Sequence, residues 1–203
     1  MSLINLVTSK GGSKIWRGRS SGRAMVEAVK FDAEEQAAHD GEAYIMHGEC
    51  HTAAATSGAL MYIKNTSATN SIHVTRIYID VGTLTPTDMF LTQVINPTTV
   101  SNGTDITTTG VIQKATNKVN ALKSSGATLK ISDGSSDMTF TGGDQFHKYP
   151  VASRTSYQRS MNGTNVIGPG GEWIIGWESA GTATDAQVIS LSVNLYLGEE
   201  DPE

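Results

Sequence analysis

The residues best suited to chemistry cluster in one short stretch, His47-Gly-Glu-Cys-His51, with His39 and Asp40 just upstream. Histidine and cysteine are zinc ligands, and a structural zinc site takes about four of them at restricted spacings. The spacing here matches none of the standard sites. On a strand, successive side chains point to opposite faces. His47, Glu49 and His51 would then share one face, and Cys50 would look away from them. That face could offer three ligands to a metal. The plainer expectation is a histidine-bearing strand near a subunit contact, with no bound metal or other cofactor.

Other chemistries find less support. Nucleophilic catalysis needs a Ser or Cys beside a positioned base and an oxyanion site. There is no Gly-x-Ser-x-Gly elbow, and Cys50 and His51 are neighbours that a strand holds apart. Paired carboxylates could serve glycoside hydrolysis. However, Asp133, Asp137 and Asp144 fall in a Gly- and Ser-rich region and read as turn residues. Gly11-Gly12 and Gly168-Pro-Gly-Gly171 lack the lysine and helix setting of a phosphate loop. No catalytic residue is expected, and the chain reads as a non-enzyme.

The most distinctive charge pattern is at the N-terminus. Lys10, Lys14, Arg17, Arg19 and Arg23 all precede the first acidic residue, Glu27, and Trp16 stands among them. The surrounding glycines and serines predict a basic, flexible arm over residues 1–24. A lone aromatic in such an arm predicts an anchor on the chain's own surface or on a neighbouring subunit. These six residues, Lys10, Lys14, Trp16, Arg17, Arg19 and Arg23, are the candidate partner-binding set. The whole chain carries a net charge of −5, which argues against nucleic acid as its general partner.

Cys50 is the single cysteine, so no intrachain disulfide can form. The opening Met-Ser-Leu-Ile-Asn-Leu-Val is too short an apolar run for a signal peptide, and no stretch reaches membrane-spanning length. These features predict folding in a reducing cytoplasm and no membrane partner. Asn65, Asn102 and Asn162 each begin an Asn-x-Ser/Thr triplet. Without a secretion signal they read as turn chemistry.

The elements that must position these residues are short strands. From Ile189 to Tyr196, Ile189, Leu191, Val193 and Leu195 alternate with Ser190, Ser192, Asn194 and Tyr196, the pattern of a half-buried strand. A weak alternation suggests a strand at 25–31, and further strands are predicted at 42–49, 58–64, 71–81, 88–95, 138–141, 156–161 and 173–177, with residues 98–110 as loop. Residues 111–131 would hold up to two strands, with a turn at Ser124-Ser-Gly126. In 71–81, Ile72 and Val74 alternate onto one face and Ile77, Ile79 and Val81 onto the other. That suggests a strand covered on both sides. Asp32 and Glu35 are spaced as in a capping box and predict a short helix near 32–39. The expected fold is all-β: a β-sandwich of jelly-roll type over residues 25–203, with the extended arm before it.

Four segments together resemble virion structural proteins of tailed bacteriophages. They are Gly41-Glu-Ala-Tyr-Ile with Thr52-Ala-Ala-Ala-Thr; Ala59-Leu-Met-Tyr-Ile-Lys-Asn-Thr-Ser with Ile72-His-Val-Thr-Arg-Ile-Tyr-Ile; Val94-Ile-Asn-Pro-Thr-Thr with Ser101-Asn-Gly-Thr-Asp-Ile-Thr; and Ile167-Gly-Pro-Gly-Gly-Glu-Trp. The pattern is similar to that of small jelly-roll proteins that decorate or cement phage heads. The resemblance implies a non-enzymatic virion protein made in the host cytoplasm. Its partners would be its own copies, as a homotrimer, and the major capsid protein or another virion protein. The alternative it leaves open is a receptor- or carbohydrate-binding module of a tail or head fibre. For that role, Trp173 and Trp177 on one strand face would be the aromatic candidates.

Overall fold

The computed structural model describes residues 5–7, 13–18, 24–28, 33–52, 56–82, 89–106, 111–113, 118–119, 126–179 and 187–199. These form one helix, α1 (Ala33–Asp40), and strands β1 (Asn5–Val7), β2 (Ser13–Gly18), β3 (Ala24–Ala28), β4 (Ala43–His51), β5 (Ser57–Asn65), β6 (Asn70–Val81), β7 (Met89–Ile95), β8 (Thr99–Ser101) and β9 (Thr104–Asp105). They continue as β10 (Val111–Gln113), β11 (Lys118–Val119), β12 (Ala127–Ile131), β13 (Thr139–Thr141), β14 (Asp144–Val151), β15 (Ser156–Ile167), β16 (Glu172–Ser179) and β17 (Val188–Glu199). The protein is an all-β sandwich. No described helix is long and apolar enough to cross a membrane.

Eight strands build the sandwich, and their pairing is a folded hairpin. Counting from β4, the first strand pairs with the last (β4 with β17) and the second with the seventh (β5 with β16). The third pairs with the sixth (β6 with β15) and the fourth with the fifth (β7 with β14), every pair antiparallel. Cross-pairs β17 with β6 and β16 with β7 complete two sheets, with orders β4-β17-β6-β15 and β14-β7-β16-β5. This is the connectivity of a jelly roll, an antiparallel hairpin rolled so that its arms face each other.

The space between the sheets is apolar. Ile189, Leu191, Val193, Leu195 and Leu197 of β17 are buried, as the alternation predicts. They meet Leu60, Met61 and Ile63 of β5, Leu91 of β7 and Trp173, Ile175 and Trp177 of β16 in one cluster. Strand β6 corrects the sequence reading. Ile72, Val74, Ile77, Ile79 and Val81 all face this core. The register with β17 runs from Leu195↔Val74 to Asn194↔Arg76 and skips Thr75. One bulged residue flips the alternation, so both halves of the strand turn their apolar side inward. The Thr75 hydroxyl donates to the Asn194 carbonyl at 3.3 Å across the bulge.

Covering on both faces occurs instead in the opposite sheet. Ala59, Tyr62, Val94, Met138 and Ile174 form a second cluster, with Val100 and Phe140 packed against it. The cover comes from the long connection between β7 and β14, whose strands β8 and β13 pair with each other. The same connection extends both sheets on the side of β4 and β5. Strands β10 and β11 follow β4, and β12 and β9 follow β5. On the other side, β14 and β15 remain the outermost strands of their sheets.

Before the sandwich, β1, β2 and β3 form a three-stranded sheet of their own. In its registers Trp16 lies opposite Val26 and Ile15 opposite both Asn5 and Glu27. The expected arm thus contains paired strands, and they extend past residue 24. Ile15, Trp16 and Val26 are strand-favouring residues, and interspersed cations do not prevent pairing. Helix α1 falls where the capping pattern placed it, with Glu34 and Glu35 in its first turn, where carboxylates complement the helix dipole. It packs against β4 and β17.

Leu191→Ala is expected to destabilise the protein by about 2–5 kcal/mol, as for other large-to-small core changes. Ser190→Ala, on the outer face of the same strand, should stay within about 0.5 kcal/mol. Urea denaturation of the two variants checks both values.

Candidate interaction surfaces

The candidate arm residues divide by position. Lys14, Trp16 and Arg17 lie on β2, the central strand of the small sheet. Lys10, Arg19 and Arg23 lie outside the described residues. The backbone therefore places three of the six on one strand of a paired ribbon.

The histidine stretch is strand β4, as expected. Glu49 and His47 are exposed, His51 is half-buried and Cys50 is fully buried on the opposite face. His47 Nδ1 lies 2.8 Å from the hydroxyl of Ser192, its cross-strand neighbour on β17. Above His51 sits the tight turn after β12. The His51 amide donates to the Ser132 carbonyl at 2.6 Å. Gly134, at φ +81°, passes so close that a Cβ there would lie 3.1 Å from the imidazole Nδ1. A turn with positive φ and no room for a side chain requires glycine. Among the described residues, no three His, Cys, Asp or Glu side chains are grouped so as to hold a metal.

The acidic residues near this turn have local tasks. The Asp133 carboxylate accepts from the Ser135 amide at 3.0 Å, the Ser135 hydroxyl at 2.8 Å and the Ser136 amide at 3.1 Å. Hydrogen bonds from the Ser135 and Thr104 side chains lead the causes that hold its pKa at about 2. Ser132 donates to Asp137 at 3.4 Å and accepts from the Met138 amide at 3.0 Å. Asp144 opens strand β14 and is exposed. Asp133 is thus a turn residue, as expected.

Asn65 shows why one glycosylation triplet is structural. It is fully buried. Its Nδ2 donates to the Asn70 carbonyl at 2.7 Å and the Ile167 carbonyl at 2.9 Å, and its Oδ1 accepts from the Ser67 amide at 3.0 Å. One side chain thereby ties the end of β5 in one sheet to β6 and β15 in the other. Asn102 is exposed in a turn at φ +63°. Of the Asn162 side chain nothing is described.

Trp173 and Trp177 do share a face, but it is the buried one. Neither is available as an aromatic platform. The sequence reading missed β14 entirely, although it forms an outermost strand with Phe146 exposed and tilted against His147 at 5.0 Å. It carries features that discourage a further strand from pairing with it. The register shifts between Gln145 and His147. Pro150 lacks an amide hydrogen. Lys148 pairs with Glu178 and lies over the Phe90 ring at 4.9 Å. On β15, Arg159 lies over the Tyr149 ring at 5.2 Å. A stacked pair, His73 and Tyr196, sits on the outer face of the other sheet with ring centroids 4.5 Å apart. The site chemistry thus consists of edges and faces, with exposed Phe146, Val166 and Val188 among the described apolar side chains.

No protein-family model matches the chain, and no curated protein matches it. Among solved structures, it is similar to a chain from the structure of infectious bursal disease virus, Gt strain, at 12% identity and a TM-score of 0.17. That alignment covers 88% of this chain and 43% of the viral chain, so this chain spans less than half of the other's length. Likeness at this level carries no argument about fold or function.

Two measurements check the local chemistry. Burial pushes the Cys50 thiol up to about 12, so it stays protonated at neutral pH. Native protein should resist iodoacetamide at pH 8 with or without reductant, and urea-unfolded protein should be labelled. Asp133 has a folded pKa below its unfolded value. Its contribution is present above about pH 4 and is lost as the pH falls toward 2. Melting curves of Asp133→Asn should therefore differ from those of the parent at pH 6 and converge with them near pH 2.

Proposed function

We propose that the chain is a non-enzymatic structural protein of a tailed-bacteriophage virion that decorates or cements the capsid through protein–protein contacts. The observation that carries this reading is how the sandwich is filled. Jelly rolls serve in capsids, in lectins and in cupins. A cupin needs ligands inside the fold, yet the described residues between these sheets are mainly aliphatic, with Met and Trp. A lectin gains from exposed aromatic platforms, and both C-terminal tryptophans are spent on the core. The interior is given over to packing, so function falls to the surfaces.

The ribbon of β1, β2 and β3 is the attachment element in this reading. Three short strands need an apolar face covered to be stable. A neighbouring subunit or the capsid surface would supply that cover, with the Lys and Arg side chains set against acidic residues. A homotrimer would present three such ribbons. Binding only the assembled shell would stabilise the shell by mass action.

Phe146 favours a second reading, a receptor- or carbohydrate-binding module of a tail or head fibre. It is 39% exposed on an outermost strand beside His147.

The binding test compares the full chain with a chain lacking residues 1–32, which removes the whole ribbon. Both are mixed with heads stripped of the protein and sedimented. The full chain should pellet with heads, and the shortened chain should stay folded by circular dichroism but pellet several-fold less. Raised salt should weaken the full chain's binding. Equal binding would remove the ribbon from the mechanism, and no binding by either chain would favour the fibre module.

A further inference from the structure

Asn102 and Gly103 form the joint between the cover and the sheet it lies on. Strand β8 ends at Ser101 and pairs with β13, while β9 begins at Thr104 and pairs with β12. The two residues between them have φ of +63° and +81°, as the central pair of a type I′ turn does. Asn102 is exposed. At position 103 the positive φ favours glycine, and a Cβ there would lie only 3.1 Å from Met138 Sδ. The peptide group that joins the two residues is held at both ends. Its N–H, on Gly103, donates to the Ser136 hydroxyl at 3.0 Å. Its carbonyl, on Asn102, accepts from Lys130 Nζ at 3.3 Å.

Asparagine followed by glycine is prone to spontaneous deamidation, because glycine puts no side chain in the way of ring closure. The Gly103 amide nitrogen, once it has lost its proton, attacks Cγ of Asn102, and ammonia leaves from the side chain. The resulting succinimide takes up water and opens at either carbonyl, giving aspartate or isoaspartate. Water is the only reagent consumed. In this turn the attacking nitrogen is engaged, with its hydrogen committed to Ser136. The ring can close only if the peptide group swings away from Ser136 and Lys130. We propose that Asn102 is a latent deamidation site, kept closed by the hydrogen bond from Gly103 to Ser136. Reaction there has a mechanical consequence. Isoaspartate adds a carbon atom to the main chain between β8 and β9, so the turn cannot return to its original geometry. Val100 of β8 packs on the outer cluster, and the cover over that cluster would loosen. This inference is independent of the proposed function.

The test follows Asn102 by peptide mapping with mass spectrometry while the full chain is held in mildly alkaline buffer. The native parent should convert far more slowly than the parent in urea. Ser136→Ala, shown to be folded by circular dichroism, should convert about two- to ten-fold faster than the native parent, the range by which one lost hydrogen bond shifts an equilibrium. Ser136→Thr keeps the hydroxyl and should match the parent. Asn162, which also precedes a glycine, is the internal control and should react at one rate in all three folded proteins. Hydrogen exchange in the parent is a check that needs no variant, since the Gly103 amide should be protected. An unprotected Gly103 amide overturns the proposal. So does native conversion at the urea rate, or a folded Ser136→Ala protein that converts no faster than the parent. A matching rise at Asn162 would trace the effect to general loosening and overturn it as well.

Discussion

The structure depends on two antiparallel sheets burying their inner faces against each other. Each fully buried aliphatic or aromatic side chain contributes about 1.5–3 kcal/mol relative to exposure. Strand β17 is the clearest case. It lies between β4 and β6, and its five inward side chains reach across to β5, β7 and β16. That burial is available only while every strand keeps the correct parity. A one-residue slip would turn an apolar row to water. Strand β6 carries apolar residues of both parities, and the Thr75 bulge reconciles them.

Once the cores are filled, the polar residues follow. Asn65 replaces backbone partners where β5, β6 and β15 meet. The connection between β7 and β14 spends its apolar residues, Met138, Phe140 and Val100, on the outer face of one sheet. It also lengthens both sheets at β4 and β5. On the opposite side β14 and β15 are outermost among the described strands, and β14 is guarded by a bulge, a proline and a cation. Among the described residues, this asymmetry distinguishes the two long sides of the sandwich.

Much of this was legible in the sequence. Regular alternation announced β17, and β-branched runs between polar turns announced β5, β6, β7 and β16. The capping pattern announced α1. The short strands β8 and β9, in a stretch that read as loop, were not legible, nor was the third strand of 111–131, and three further misses have a clear physical reason. Strand β14 is mostly exposed, so Asp144 to Val151 carries no apolar alternation, and Pro150 argues against a strand until its outermost place is known. The Thr75 bulge leaves no trace in composition, so Ile72 to Val81 read as a strand covered on both faces. Charge and glycine content suggested an unpaired arm over 1–24, whereas Ile15 and Trp16 pair in strand β2. Among the candidate residues, adjacent placement separated Cys50 from His51 correctly. The burial of Trp173 and Trp177 depends on which face of their sheet meets the facing sheet, and sequence alone does not carry that.

The proposed role rests on surfaces, so it is decided by where the protein resides. The most direct measurement is quantitative immunodetection of the chain in purified virions separated into heads and tails. The protein is expected in the head fraction, in fixed ratio to the major capsid protein. Its presence in tails alone, or its absence from purified particles, would contradict the account.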